Sequence, residues 1–258
     1  MINMTNIISK SLPITNKKVI EILFSYNHWQ GKVLDLGAGE GFFSYLLAER
    51  LLKNNCNPLV EYISACDLFP EDYKFEKIKC DYCDFNSSLP YNSNTFNAVC
   101  SVEVIEHIEN IFHFCREIYR ILKPDGVAII TTPNILNVNS RLRTFTTGFP
   151  LLYNPLPILS KDPKDLGGHI NPISPYYLAY SFKKAGFKMI KFHTDRLKNS
   201  AKLLLPFFYL PIKISEKISF KKFEKKNKYI HKENDDIISN INSMKLLLGR
   251  TLIIEAVK

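Results

Sequence analysis

Apolar residues in the first half of the chain fall alternately into short continuous runs and into runs with helical spacing. Five continuous runs are typical of buried strands, at residues 32–36, 60–65, 76–80, 96–102 and 127–132. Helical spacing marks residues 41–53 and 111–122, which lie between those runs. Strands that alternate with helices predict βαβ units, and hence a parallel sheet with helices on both faces.

The pattern changes after Pro133. Residues 134–172 are rich in Pro, Asn and Gly and show no clear period, which predicts a long lid-like loop. Ser174 as an N-cap and Gly186 past the last turn then predict another helix. That helix covers 174–186, two closing strands cover 187–194 and 251–257, and an insertion at 196–250 separates the strands. We expect a single domain over residues 1–258.

Charge is distributed unevenly along the chain, whose net charge is +9. Residues 1–182 carry 16 Lys and Arg against 18 Asp and Glu, whereas residues 183–258 carry 18 against 7. A basic region of this kind attracts phosphate groups or an anionic membrane surface. A solvated, lysine-rich surface without a partner is the alternative interpretation.

The six cysteines lie mainly in apolar runs, where a free thiol acts as a small hydrophobic side chain. Cys80 and Cys83 form a lone CxxC without further ligands at zinc-binding spacing, so we expect no metal site. Free thiols favour a cytoplasmic location, and the N-terminal residues lack the apolar core of a signal peptide. Because the longest apolar runs are shorter than roughly 18 residues, we expect no membrane-spanning helix.

The strongest chemical signal follows the first predicted strand. The sequence there is Val33-Leu34-Asp35-Leu36-Gly37-Ala38-Gly39-Glu40-Gly41, a buried strand that runs into a glycine-rich turn before a helix. Glycines permit a sharp turn and a close approach of the backbone to a ligand, and ligands bind at the carboxyl ends of parallel strands. A dinucleotide fingerprint requires glycine at position 42, where this chain has Phe42. The spacing therefore argues against NAD.

Acidic residues follow the next two predicted strands. Asp67 closes the second strand, where a carboxylate can accept hydrogen bonds from both hydroxyls of a ribose. Asp84 precedes Phe85, so that its carboxylate can accept from an adenine amino group while the Phe85 ring packs on the base. Asp81 is an alternative to Asp84 in this role.

Five segments complete the pattern. They are Asp35 to Gly41, Asp84 with Leu89-Pro90-Tyr91, Glu103-Val104-Ile105-Glu106-His107-Ile108, the segment from Arg116 to Gly126, and Thr132-Pro133-Asn134. In order and spacing the chain resembles class I S-adenosylmethionine-dependent methyltransferases over about residues 30–135, and within them the small-molecule branch that includes quinone-biosynthesis enzymes. Asn97 and Asp125 depart from the family, which usually has aspartate and glycine at these positions.

The resemblance implies an α/β fold with a doubly wound, Rossmann-like sheet. That sheet would have seven strands, mostly parallel with one antiparallel, plus a C-terminal insertion or cap. The implied cofactor is S-adenosyl-L-methionine, with its methionine part at the glycine loop, its ribose at Asp67, its adenine at Asp84 and its amino-acid end near Ser101. The expected cofactor-binding residues are Asp35, Gly37, Ala38, Gly39, Gly41, Asp67, Leu68, Asp84, Phe85 and Ser101.

Two histidines are candidates for catalysis. Methyl transfer from a sulfonium requires alignment, and an oxygen nucleophile also benefits from a general base. His107 and His169 qualify because histidine titrates near neutral pH. A structural role in a loop is the alternative for His107, whereas His169 resembles a histidine that family members carry before the helix that precedes the sixth strand. The sequence contains no paired Cys/His spacing or carboxylate cluster that calls for a metal.

The C-terminal insertion is the second distinctive segment. Residues 203–212 are strongly apolar but too short to span a membrane, and residues 213–232 are rich in lysine. Pro206 and Pro211 argue against a continuous membrane-spanning helix. The insertion predicts either a cap over the site or a peripheral contact, through residues 203–232, with the inner face of a membrane; both can hold at once.

These observations predict O-methylation of a small molecule, a glycan or a lipid-linked intermediate. Residues 139–143 and the later Gly-His pair are similar to methyltransferases of surface-polysaccharide pathways. Nucleic-acid methylation is an alternative supported only by the basic C-terminal part, and the sequence has no base-flipping motif. A non-catalytic S-adenosylmethionine-binding protein is the alternative from another class.

Overall fold

The computed structural model describes residues 7–26, 31–160 and 168–258. Its strands are β1 (Val33–Leu36), β2 (Ile63–Asp67), β3 (Cys80–Tyr82), β4 (Phe96–Val102), β5 (Leu122–Pro133), β6 (Met189–His193) and β7 (Thr251–Val257). Its α-helices are α1 (Pro13–Phe24), α2 (Phe42–Lys53), α3 (Ile111–Ile121), α4 (Val138–Thr147), α5 (Pro175–Ala185), α6 (Asn199–Lys226), α7 (Lys228–Glu233), α8 (Asp235–Ile238) and α9 (Met244–Leu248).

The described strands form one seven-stranded sheet in the order β3-β2-β1-β4-β5-β7-β6. β1 pairs in parallel with both β2 and β4, and β4 pairs in parallel with β5. β7 runs antiparallel to β5 on one side and to β6 on the other. The prediction of a doubly wound, mostly parallel sheet with one antiparallel strand is therefore confirmed.

The continuous apolar run of β1 reflects burial on both faces of the sheet. Leu34 and Leu36 belong to a core that also contains apolar residues of α3 and α5. Val33 points the other way, into a second core built with α1 and α2. Since successive side chains of a strand face opposite sides, a strand between two helical layers needs apolar residues at nearly every position.

β5 begins five residues earlier than its apolar run predicts. Leu122 already pairs with Phe96 of β4, and the register then shifts so that Ala98 pairs with Val127. The irregularity between these two pairings falls at residues 123–126, whose sequence Lys-Pro-Asp-Gly is typical of a turn. A bulge absorbs the extra residues without ending the strand.

The prediction of a continuous loop over residues 134–172 is wrong, because α4 lies within it. The Asn137 side chain accepts a hydrogen bond from the Ser140 N–H at 2.9 Å and caps the helix start, and Gly148 ends the helix in the left-handed conformation. Residues 161–167 of this stretch lie outside the described residues. A lid function for the segment stays a prediction.

The C-terminal insertion contains α6, which is continuous over 28 residues although Pro206 and Pro211 lie inside it. Both prolines therefore lie inside a continuous helix, although neither can donate a backbone hydrogen bond to it. Within the described ranges, no helix is both long enough and apolar enough to cross a membrane.

A core substitution tests this packing. Phe114 of α3 is fully buried and packs edge-to-face on Phe85, with the ring centroids 6.2 Å apart. Phe114→Ala should lower the free energy of unfolding by about 3–5 kcal/mol, because it removes a buried ring and leaves a cavity. Chemical denaturation measures this change.

Phe112, two residues earlier in α3, is the matched control, because its side chain is largely exposed. Phe112→Ala should cost less than about 1 kcal/mol. Equal losses in the two variants would contradict the assignment of the inner face of α3.

Candidate active site

The glycine turn between β1 and α2 brings the backbone to the carboxyl edge of the sheet. Gly37 has φ +86°, and a Cβ there would lie 2.3 Å from a methyl group of Val104. Its N–H donates to the Cys66 carbonyl at 2.9 Å, which attaches the turn to the end of β2. A side chain at this position would therefore displace the loop that follows β4.

Asp67 ties the glycine turn to β2 more firmly. One of its carboxylate oxygens accepts the Gly39 N–H at 2.8 Å, and the other accepts the Phe69 N–H at 2.9 Å. Leu68, next in the chain, is partly exposed at the same edge. Each oxygen of Asp67 retains a lone pair, so the carboxylate can also accept from a ligand hydroxyl.

Asp35 lies beneath the turn and is buried. Its carboxylate accepts a hydrogen bond from the Ser44 hydroxyl of α2 at 2.7 Å. Burial, opposed by that hydrogen bond and reinforced by the nearby charge of Asp67, raises the pKa of Asp35 to about 7. The hydrogen bond between Ser44 and Asp35 therefore connects β1 to α2 beneath the glycine turn.

The segment after β3 agrees only in part with the prediction. Asp84 faces its own turn, where its carboxylate accepts the Asn86 N–H and the Ser87 hydroxyl, each at 2.9 Å. The ring of Phe85 is buried in the core against Phe114. α3 thus supplies an apolar environment for this ring, and its stacking on a base stays a prediction.

The alternative, Asp81, is partly exposed. Its carboxylate accepts from the Tyr91 hydroxyl at 3.3 Å and lies 3.5 Å from Lys79 Nζ. Both acidic residues therefore remain candidates for the adenine position.

The predicted cofactor residues come together at one edge of the sheet. They end or follow β1, β2, β3 and β4, which are neighbours in the sheet order. β1 lies between β2 and β4, so the glycine turn occupies the point at which the strand order reverses. Ser101, in β4, has a buried hydroxyl without a hydrogen-bond partner among the described residues. Ala38 lies in the turn itself, with its N–H donating to the Cys66 carbonyl at 3.1 Å.

The two predicted histidines meet beside this edge. Their ring centroids are 4.9 Å apart in an edge-to-face arrangement. His107 belongs to a 3-10 turn after β4, and its Nδ1 bonds the Gly168 carbonyl at 3.0 Å. The N–H groups of Ile170 and Asn171 donate to the Glu106 carbonyl at 2.9 and 3.0 Å. These three bonds hold the segment that carries His169 against the turn after β4.

Glu106 completes the cluster, and the sequence reasoning missed it as a site residue. Its side chain is fully buried, and neither carboxylate oxygen makes a hydrogen bond to a described residue. Nε2 of His169 lies 4.0 Å from one of these oxygens. Burial, together with the charge of Glu103, raises the pKa of Glu106 well above its usual range.

Tyr153 forms the wall beside His169, and sequence reasoning missed it as well. The two rings lie 5.2 Å apart, and the Tyr153 hydroxyl donates to the Asn171 carbonyl at 3.0 Å. Burial and the neighbouring His107 lower the pKa of His169, although the Leu152 backbone opposes this shift. His169 is therefore neutral at pH 7 and able to accept a proton.

The cluster also has the composition of a divalent cation site. One ligand atom each from Glu106, His107 and His169 lie within 4.8 Å of one another. Imidazole and carboxylate are common ligands of first-row divalent metals. The spacing of residues along the sequence does not reveal this cluster. Only the fold brings His169 to His107, which lies 62 residues earlier in the chain.

Comparison with known proteins agrees with this geometry. A family model described as a methyltransferase domain matches residues 14–191. A ubiquinone biosynthesis O-methyltransferase from Rickettsia typhi is 30% identical over 111 residues, which cover 40% of this chain and 41% of that protein. The mitochondrial ubiquinone biosynthesis O-methyltransferase of Rattus norvegicus is 32% identical over 123 residues, 43% of this chain and 34% of that protein. The chain thus aligns with less than half the length of either relative.

A solved structure shows the same fold. The SAM-dependent methyltransferase from Archaeoglobus fulgidus superimposes with a TM-score of 0.54 and 18% identity, covering 95% of this chain and 94% of that one. Since the family model spans more than half of the chain and the described sheet has the order of such a fold, the chain belongs to the methyltransferase-domain family, as a class I, S-adenosylmethionine-dependent member.

Proposed function

We propose that this protein transfers a methyl group from S-adenosylmethionine to an oxygen atom of a small molecule, a glycan or a lipid-linked acceptor. The observation that carries the proposal is the position of the Glu106–His107–His169 cluster directly after the strand that contacts the glycine turn. Val104, which packs on Gly37, is two residues from Glu106. The names of the relatives, ubiquinone biosynthesis O-methyltransferases, support an oxygen acceptor.

Residues at the ends of different strands would bind different parts of the cofactor. The glycine turn before α2 would let the amino-acid part approach the backbone closely, and the unpartnered hydroxyl of Ser101 in β4 could bond its polar atoms. Asp67 would accept the ribose hydroxyls, and Asp84 or Asp81 the adenine amino group. The cofactor supplies an activated methyl group when it is bound, so the protein needs only to align the acceptor and manage its proton.

His169 is suited to take that proton. Its lowered pKa keeps the imidazole neutral at pH 7, so that the ring can accept the proton of the acceptor hydroxyl. A divalent cation held by Glu106, His107 and His169 would serve the same end by lowering the pKa of the acceptor hydroxyl. A histidine base and a bound cation respond differently to a chelator that removes divalent metals.

Asp67 provides the first test. Asp67→Asn retains the shape of the side chain but removes its charge, so the affinity for S-adenosylmethionine should fall at least about tenfold, because hydrogen bonds to charged groups are worth roughly 1.5–3 kcal/mol. Isothermal titration calorimetry measures the dissociation constant, with NAD as a ligand that should not bind.

Asp72 is the matched control, because it follows the same strand but pairs with Lys10 at 3.5 Å. Asp72→Asn should leave cofactor affinity unchanged. An unaltered dissociation constant in a folded Asp67→Asn variant would refute the ribose assignment.

His169 provides the second test. His169→Ala should reduce methyl transfer by about 10²–10⁴-fold, because it removes the proton acceptor, while cofactor affinity stays within about twofold. Release of S-adenosylhomocysteine, measured with a panel of phenolic, sugar and lipid-linked hydroxyl acceptors, gives the rate. His231→Ala, on α7, serves as the control and should not change it.

Chelation separates the two roles of the cluster. If the histidine acts as a base without metal, EDTA should leave the rate unchanged. If a cation is bound, EDTA should abolish transfer and added Mg²⁺ or Zn²⁺ should restore it, except in Glu106→Gln. Cofactor binding without transfer to any acceptor would contradict the enzymatic proposal, and transfer to RNA or DNA alone would favour nucleic-acid methylation.

We also propose that α6 places the enzyme on an anionic membrane surface. Its outer face carries a stripe of apolar side chains, 51–75% exposed, at helical spacing: Leu203, Phe207, Leu210, Ile214 and Ile218. Ala201, on the opposite face, is buried, and α6 packs there on α4 and α9. The inner side of α6 therefore packs on the rest of the protein, and the apolar stripe on its outer side stays exposed.

Lysines extend the same face of the helix. Lys221 and Lys225 follow Ile218 at intervals of three and four residues, and both are exposed. Insertion of the stripe into a bilayer interface would contribute several kcal/mol at about 25 cal/mol per Å² of apolar surface, and each lysine about 1 kcal/mol. This charge complements anionic lipid, which favours a membrane over a neutral partner.

Vesicle co-sedimentation tests the membrane proposal. The protein should bind vesicles that contain phosphatidylglycerol but not pure phosphatidylcholine, and Phe207→Ser/Ile214→Ser should weaken binding at least about tenfold because it removes buried apolar area. Val60→Ser, an exposed apolar residue before β2, is the control. Unchanged binding in the double variant, or a dimer that the double variant disrupts, would exclude the membrane as the occupant of this stripe.

A further inference from the structure

A cleft lies beyond the carboxyl end of β5, beside the histidine cluster. The cleft and the solvent at its mouth together occupy about 310 Å³, and its lining includes Asn134, Asn137, Leu152, Lys198 and Arg250. A cleft of this size admits a small polar group from a ligand and is too small to enclose a whole cofactor. None of the predicted cofactor residues lines it.

Two cations give the cleft its charge. Lys198 and Arg250 form no ion pair within the part of the chain that the structure describes, and Arg250 donates only to the Thr251 hydroxyl at 3.2 Å. Burial, followed by the charges of Arg250 and Arg196, lowers the pKa of Lys198. Like charges held together at a partly buried site destabilise one another unless an anion neutralises them.

The nearby carboxyl groups make their hydrogen bonds to groups other than the two cationic side chains. Asp195 accepts hydrogen bonds from the Thr15 hydroxyl and from the N–H groups of Arg196 and Thr251. Glu103 bonds the Thr131 hydroxyl at 3.2 Å, and burial raises its pKa to about 7, although Arg250 opposes this shift. Glu103 and Arg250 therefore interact through their charges, but they form no ion pair within 4.0 Å among the described residues.

The walls of the cleft are fixed by their own hydrogen bonds. The Asn134 side chain donates to the carbonyls of Leu246 and Gly249 at 2.8 and 2.9 Å, and Asn137 donates to the Asn134 carbonyl at 2.6 Å. The amide groups of both residues are therefore engaged with the protein. Lys198 and Arg250 are the groups that have donors left for a ligand.

The cleft adjoins the proposed catalytic cluster. Leu152, in its lining, precedes Tyr153, whose ring lies 5.2 Å from that of His169. Leu152 has φ +72° and Glu103 has φ +57°, and non-glycine residues held in this region are strained. Such strain concentrates at functional sites, and Leu152 places it in the lining of the cleft.

We propose that Lys198 and Arg250 bind an anionic group, a phosphate or a carboxylate, on the molecule whose hydroxyl faces His169. This inference rests on the proposed methyl transfer, because it assigns the class of acceptor to that site. Arginine matches either group with two parallel hydrogen bonds, and lysine adds a point charge. The acceptor would therefore carry its methylatable hydroxyl and its anionic group on the same side of the molecule.

The experiment measures binding of two probes, inorganic phosphate and benzoate, by calorimetry in the presence of saturating S-adenosylhomocysteine. At least one probe should bind the native chain, and Lys198→Gln and Arg250→Gln should each weaken that binding tenfold or more. Arg250→Lys should recover part of it. Phosphate preference would indicate a phosphorylated acceptor, and benzoate preference a carboxylated one.

Lys202→Gln is the matched control, one helical turn after Lys198 on the exposed side of α6. It should leave probe binding unchanged, and all variants should keep the native affinity for S-adenosylhomocysteine. Absence of binding by either probe, or equal losses in Lys198→Gln and Lys202→Gln, would overturn the subsite. Probe binding that depends on Lys198 in a protein that transfers no methyl group would instead retain the subsite and reject the proposed function.

Discussion

The hydrogen bond between the Gly39 N–H and the Asp67 carboxylate fixes the relation between two neighbouring strands at the edge where the chemistry is expected. The turn after β1 must pass close to β2 for this bond to form, and it can do so because Gly37 adopts a left-handed conformation. The same turn sets the start of α2 and touches Val104. The position of the loop after β4, and of the histidine cluster that follows, therefore depends on this one bond.

The second half of the site depends on a buried carboxyl group. Glu106 lies in the middle of a short 3-10 turn, and its carbonyl accepts the N–H groups of Ile170 and Asn171. Its carboxyl oxygens lack a hydrogen-bond partner among the described residues. Burial of an unpaired carboxylate is costly, so the site gains stability from a proton, a cation or a protonated histidine. The buried, unpartnered carboxyl group therefore lowers the stability of the fold at this point, as is common where an enzyme carries out its reaction.

Much of the fold follows from local patterns. β1 and β4 could be predicted because burial on both faces demands continuous apolar runs, and α5 because Ser174, Pro175 and Gly186 mark its ends. α4 was missed because only Val138 and Ser140 are buried along it, so no apolar period appears. Its caps at Asn137 and Gly148 were the available signal.

The candidate site, like the fold, was only partly predictable from local sequence patterns. The glycine turn and Asp67 are close in sequence to the strands that position them, so motif spacing sufficed. The contact between His107 and His169 joins distant parts of the chain, and the orientation of the Phe85 ring depends on which side α3 packs. Neither relation has a local signature, because both arise from tertiary packing.

The place of β7 in the sheet also constrains how the molecule can fold. Among the described strands, β6 pairs only with β7, and β7 pairs with β5 across a gap of more than a hundred residues. β6 therefore cannot join the sheet until this long-range pairing forms, which is a slow class of contact. Arg250 immediately precedes β7, so the cleft beside the histidines closes only in that same late step. An intermediate in which β1 to β5 are already assembled would have the strands that carry the predicted cofactor-binding residues in place, but it would lack the cleft proposed for the acceptor.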